Sequence, residues 1–274
     1  MSPRRLHPAP WHELSLLIGT WLAVLAYVLP LALVGPIARA FGGEPEFRDV
    51  GDTFTKAAEI ARYADLALAR AAAGNPLPPP PRLLGDPIAA RVAWSMAILS
   101  SAAFVLIAVA ASRQGTAGFA RAVGLDRFQF ERLWLPGALV ALTFPLVSLY
   151  AAAVEALGWH AIAPAPPTLD AVLRDPAALA LYGLATVIAA PLSEEVFFRG
   201  FLFSGALSWG FWPAAAFSSA LFSLAHTDAG AVIPFFLIGL LVAWLYWRTG
   251  CLWDAVAFHV LFNGLSFILL VTRY

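Results

Sequence analysis

Long apolar runs separated by short polar stretches set the pattern of this chain. The runs occupy residues 13–36, 92–112, 133–157, 177–206, 211–227, 231–248 and 254–271. A helix needs about 20 apolar residues to cross a hydrocarbon core about 30 Å thick. In lipid every backbone N–H and C=O must be paired within the structure, so each run is predicted as a helix. The pattern predicts an all-α polytopic transmembrane helical bundle of about seven spans, eight if one segment is split. The first run follows Arg4 and Arg5 and ends near Ala38-Arg39-Ala40, which resembles a cleavage site. An export signal has an apolar region of about 7–15 residues, and this run is longer, so it is predicted to be a retained first helix.

The one large polar stretch lies between the first two runs. Its middle, TFTKAAEIARYADLALARAAAG, places charged and small apolar residues at helical spacing. Asp52 or Thr53 is a fitting cap and Gly74 a fitting end for a surface or interfacial helix. The run NPLPPPPR that follows predicts an extended, stiff connector. The expected organisation is an amino-terminal arm and first helix (1–36), an extramembrane loop (37–90), two helices with their loops (91–176) and a four-helix catalytic core (177–274).

Composition sharpens this picture. The chain of 274 residues is 61% hydrophobic and 12% charged, where soluble domains carry about 25% charge. Its mean hydropathy is +0.77. Membrane lipid is therefore an expected partner. Seventeen basic and seventeen acidic residues balance to zero, so nothing points to nucleic acid. One lysine, Lys56, stands against sixteen arginines, a bias of GC-rich bacterial genomes. The bacterial inner (plasma) membrane is the expected location. The single cysteine, Cys251, excludes an internal disulfide framework. Arg113, Arg121, Arg127 and Arg132 crowd one short loop, which places that loop and the amino terminus in the cytoplasm.

Against this apolar background three groups of polar residues stand out. Glu194 and Glu195 precede Arg199 in LSEEVFFRG. An ionisable group at the centre of a membrane helix costs about 2.5–3.5 kcal/mol on insertion scales, so such groups pair or serve a function. Glu195 and Arg199 stand at i, i+4 and are expected to pair, leaving Glu194 as the unpaired, reactive carboxylate. His226 ends FSLAH, and His259 and Asn263 share one face of the last helix. Counting 1.5 Å per residue from the turn near Trp209 places Glu194 and His226 roughly 22 and 25 Å away on the same side. His259 and Asn263 fall roughly 12 and 18 Å from the turn near Cys251. The three groups occupy one broad layer, where they can satisfy one another.

This ordered set, Glu-Glu-x-x-x-Arg, Phe-x-x-x-His and His-x-x-x-Asn on successive helices, resembles the CAAX protease and bacteriocin-processing family, also called the Abi family of intramembrane proteases. The motifs run from Glu194 to Asn263, about a quarter of the chain. The resemblance implies hydrolysis of a peptide bond in a membrane-associated protein or peptide. In that reading Glu194 activates a water, His226 holds it, Arg199 pairs with Glu195, and His259 and Asn263 donate to the oxyanion. Glu194, His226 and His259 are also a plausible zinc set, so zinc stays open beside glutamate-activated water. The compact His-Glu-x-x-His signature is absent. Ser218, Ser219 and Ser223 are read as small packing residues. Two other classes compete: a non-proteolytic immunity or interaction protein, and a proton-coupled transporter. No internal repeat supports the transporter.

Overall fold

The computed structural model of the protein describes residues 6–43, 63, 65–76, 86–159, 162, 173–226, 228 and 230–272. Its principal helices are α1 (Glu13–Ala40), α2 (Pro87–Ser112), α3 (Gly115–Ala122), α4 (Trp134–Ala156), α5 (Pro176–Trp209), α6 (Phe211–Ala225), α7 (Val232–Thr249) and α8 (Leu252–Val271). Among the described residues there is no strand. Residues 65–72 are also helical and end at Gly74, whose φ of 70° is the left-handed conformation that a glycine adopts freely. The cap at Asp52 or Thr53, Lys56, Arg4, Arg5 and most of the proline-rich connector lie outside the described residues.

All seven apolar runs fall on helices, and six of these are long and apolar enough to cross a membrane. The chain is an integral membrane protein. The run expected over 211–227 differs: α6 has only 15 residues, about 22 Å of helix, and stops short of a full span. His226 is its C-cap.

The starts of α2 and α5 share one device. Asp86 and Asp175 precede Pro87 and Pro176, and each carboxylate accepts a backbone N–H three residues on, at 2.7 Å. The aspartate fills the cap, and the proline sits where its missing N–H is not needed. Arg91 on α2 also grips Asp175 at 2.6 Å. This guanidinium, with the capped backbone N–H, holds the Asp175 carboxyl down to about 2. A depressed carboxylate contributes its stability at pH above the usual carboxylate range and loses it as pH falls towards 2. Asp175→Asn is expected to remove that part of the acid sensitivity, seen by comparing thermal unfolding in detergent at pH 3 and pH 6. An undiminished difference in the variant would refute the assignment.

Helix α5 runs through the centre and is not a uniform α-helix. Residues Leu184–Ala189 and Glu195–Phe203 have π geometry, with α-helical turns before, between and after them. Pro191 gives a local reason for the first π turn. It has no N–H for the carbonyl four residues earlier, and an i→i+5 register passes that carbonyl to the next residue. Around α5 pack α2, α6, α7 and α8, with Phe104, Phe197, Phe201, Phe203 and Tyr246 in one apolar core. Gly239 of α7 faces Ser219 of α6 so closely that a Cβ would overlap it, as expected of small residues between membrane helices. Ser219 thus keeps its reading as a packing residue.

One end of the bundle collects the arginine-rich loop and the amino-terminal arm. Tyr246 Oη donates to Val123 O at 3.0 Å, and Trp253 Nε1 donates to Leu125 O at 2.7 Å. Arg127 and Arg132 reach the carbonyls of Gly250 and Thr249, and Arg132 pairs with the buried Asp254 at 3.4 Å. Leu6 N–H donates to Trp247 O at 3.1 Å. The arm and the loop 113–132 therefore share a side, as the arginine pattern required.

Candidate active site

Glu194 lies where the central α-turn of α5 passes into the second π segment, and Glu195 and Arg199 lie within that segment. The expected pair is present. Arg199 Nη1 donates to Glu195 Oε1 at 3.0 Å, and neither residue has any accessible surface. The same oxygen meets His259 Nδ1 at 2.9 Å. Glu195 thus joins α5 to α8 as well as to its own arginine. The Arg199 guanidinium also stands 4.2 Å from the centroid of the Phe222 ring, so an aromatic face covers the cation where water is excluded.

The histidines are oriented by what their Nδ1 atoms touch. His226 Nδ1 lies 2.8 Å from Phe222 O. A carbonyl only accepts, so Nδ1 carries the proton and the neutral ring leaves Nε2 bare. His259 turns its Nδ1 to the Glu195 carboxylate, so its Nε2 points away from that partner. Both Nε2 atoms face Glu194: Oε2 lies 4.0 Å from His226 Nε2 and 3.9 Å from His259 Nε2. That oxygen is buried and makes no direct hydrogen bond. The unpaired carboxylate expected from the sequence is therefore Glu194, and groups from α5, α6 and α8 meet at one point.

A cavity of about 30 Å³ opens beside these groups, with Glu195, Arg199, His226, His259 and Asn263 on its wall. A water needs about 10–15 Å³ on the same measure, so there is room for one or two. Gaps of 3.9 and 4.0 Å suit a bridging water. With hydrogen bonds of about 2.8 Å the angle at the water is roughly 90°, which its soft geometry accommodates. Zinc does not fit as well. Bonds of about 2.0–2.2 Å spanning the same gaps would have to open to roughly 130–180°, against about 109° for a tetrahedral ion. Among the described residues no three His, Cys, Asp or Glu side chains are close enough together to hold a metal ion.

Asn263 is placed differently from His259. Its Nδ2 donates to Thr186 O at 2.8 Å, a carbonyl of the first π segment of α5. One amide hydrogen is thereby engaged, and the group still lines the cavity. Two contributors escaped sequence reasoning. Phe222 was only a letter of a motif, yet it orients His226 through its carbonyl and covers Arg199 with its ring. Ser218, read as a packing residue, donates from Oγ to Phe198 O at 2.7 Å. Its depth on α6, two turns before His226, was the only available signal.

Residues 176–265 match the family model of type II CAAX prenyl endopeptidase Rce1-like proteins. All six motif residues lie inside that segment, and the resemblance drawn from the three motifs holds there. A Bacillus subtilis (strain 168) protein named "Putative membrane peptidase YdiL" is 31% identical over 96 residues. That alignment takes in 34% of this chain and 39% of the relative, so the chain spans well under half of the curated relative it matches. No solved structure matches.

Proposed function

We propose that the protein is an intramembrane endopeptidase that cuts a membrane-associated protein or peptide with a water activated by Glu194. The observation that carries this reading is the meeting of Glu194 Oε2 with two histidine Nε2 atoms at 3.9 and 4.0 Å, beside a cavity with room for a water. The similarity to membrane peptidases over 176–265 supports it.

In this mechanism Glu194 and His226 hold a water between them, and Glu194 takes its proton as the oxygen attacks the scissile carbonyl carbon. The carbonyl π electrons move onto its oxygen. His259, with Nδ1 against Glu195, donates from Nε2 to that oxyanion, and the second amide hydrogen of Asn263 adds to it. Glu194 then gives its proton to the leaving nitrogen as the C–N bond breaks. Glu195 and Arg199 keep His259 in place and define the local charge. A catalytic zinc has no step here. Chelation with 1,10-phenanthroline is expected to leave proteolysis unchanged, and loss restored by added zinc would overturn the water mechanism.

The reading is tested by comparing new peptide termini in membranes that hold equal amounts of the wild type or His226→Ala. Termini found only with the wild type would establish proteolysis and name the substrate. Asn263→Ala should retain part of the yield, because one of two oxyanion donors remains. Identical termini in every sample would return the chain to the interaction or transport classes. We place the arginine-rich end in the cytoplasm of a bacterial inner membrane, on the arginine pattern.

A further inference from the structure

The amino-terminal arm lies far outside residues 176–265, yet it reaches the helix that carries the carboxylates. We propose that Trp11 is a positioning residue: it fixes the register of the π-helical part of α5 and so sets the placement of Glu194, Glu195 and Arg199. The proposal rests on the reading of Glu194 and His226 as the water-activating pair.

Residues 6–12 are not helical, but Leu6 and Trp11 are buried. Trp11 Nε1 donates to Phe201 O at 3.0 Å. Its ring stacks between Phe119 and Phe201, with centroids 5.7 and 5.8 Å away. Ala9 N–H donates to Ser204 O at 2.9 Å, three residues further along α5. The fit is tight. A Cβ on Gly205 would strike the Trp11 indole, and one on Gly19 would strike the Phe201 ring. Glycine is needed at both places for the arm and α1 to lie this close to α5.

The contact falls where α5 changes register. Ser204 N–H is shared between Arg199 O, five residues back, and Phe201 O, three residues back. A π turn has poorer hydrogen-bond geometry than an α turn, so it persists where its surroundings hold it. Here donors from outside the segment do so: Trp11 on Phe201 O and Ser218 on Phe198 O. If the segment relaxed to an α-helix, every residue before it would turn by about 100° and shift by about 1.5 Å for each residue gained. Glu194 would then leave the two histidine nitrogens.

The test uses the full chain in detergent micelles with ¹⁵N-histidine. The His226 and His259 signals are assigned by single His→Gln variants. Trp11→Phe keeps an aromatic ring but removes the donor with the pyrrole part of the indole, and Ser218→Ala removes the other donor alone. Tyr246→Phe is the control, because it deletes a buried hydroxyl that serves the Val123 carbonyl and not α5. We expect both π-segment variants to displace or split the His226 and His259 signals, while the control leaves them in place. If Trp11→Phe fails to fold, Ser218→Ala carries the test alone. Unchanged histidine signals in the π-segment variants, or equal changes in the control, would overturn the proposal. The yield of new termini should fall with the displaced signals, by up to roughly 100-fold for a misplacement of about 1 Å. Displaced signals in the variants, with a wild type that releases no termini, would count against the protease reading and leave the positioning role standing.

Discussion

Glu194→Gln will abolish the release of new termini from membranes, while the variant inserts and folds as the wild type does. The amide matches the carboxylate in shape but takes no proton at neutral pH. Loss of a general base costs typically 10²–10⁴-fold. The side chain has no direct hydrogen bond at Oε2 and keeps 20% of its surface accessible, so little of the fold depends on its charge. Thermal unfolding should be lowered by no more than about 1 kcal/mol, the centre of the range for point substitutions. A variant that cuts at the wild-type rate would sink the mechanism. A variant that neither cuts nor folds would move Glu194 into the scaffold.

Arg199→Leu has the largest expected effect on stability. It removes the guanidinium from a carboxylate with no accessible surface and leaves Glu195 with His259 alone. Breaking a buried pair from one side costs about 3–5 kcal/mol, because the remaining charge stays desolvated. Arg199→Leu/Glu195→Gln should recover part of that loss, since the second change removes the stranded charge. The measurement is unfolding in mixed micelles across the double-mutant cycle. A single-variant loss below about 1 kcal/mol, or a double variant no better than the single, would show that the pair is not the keystone of this layer.

The apolar runs made the helices legible because their length and charge depletion are set by lipid. The three motifs were legible for a similar reason: a charge or histidine inside such a run is expensive, so its presence carries information. Counting residues from the turn at Trp209 brought Glu194 and His226 to one depth, and they lie 4.0 Å apart. Less visible was the way α5 is wound. Spacing on an ordinary helix predicted the Glu195–Arg199 pair, but nothing except Pro191 hinted at π turns, which depend on donors from elsewhere in the chain. Trp11 and Phe222 were opaque on the same ground. Their work is done by a ring N–H, a carbonyl and a ring face, and apolar periodicity describes none of these. The short α6 was hidden too, since the run expected over 211–227 carried no sign that the helix stops at Ala225.

That shortness has a vectorial consequence. From its first residue near the arginine-rich end, α6 climbs about 22 Å and stops at His226, where a hydrocarbon core would continue for about another 8 Å. Beyond it Gly230 N–H donates to the Asp228 carboxylate at 3.0 Å. The end of α6 that carries His226 therefore faces away from the arginine-rich end of the bundle. Under the proposed function such a protease would be sided, taking its water and releasing the freed chain end on the face away from the arginines.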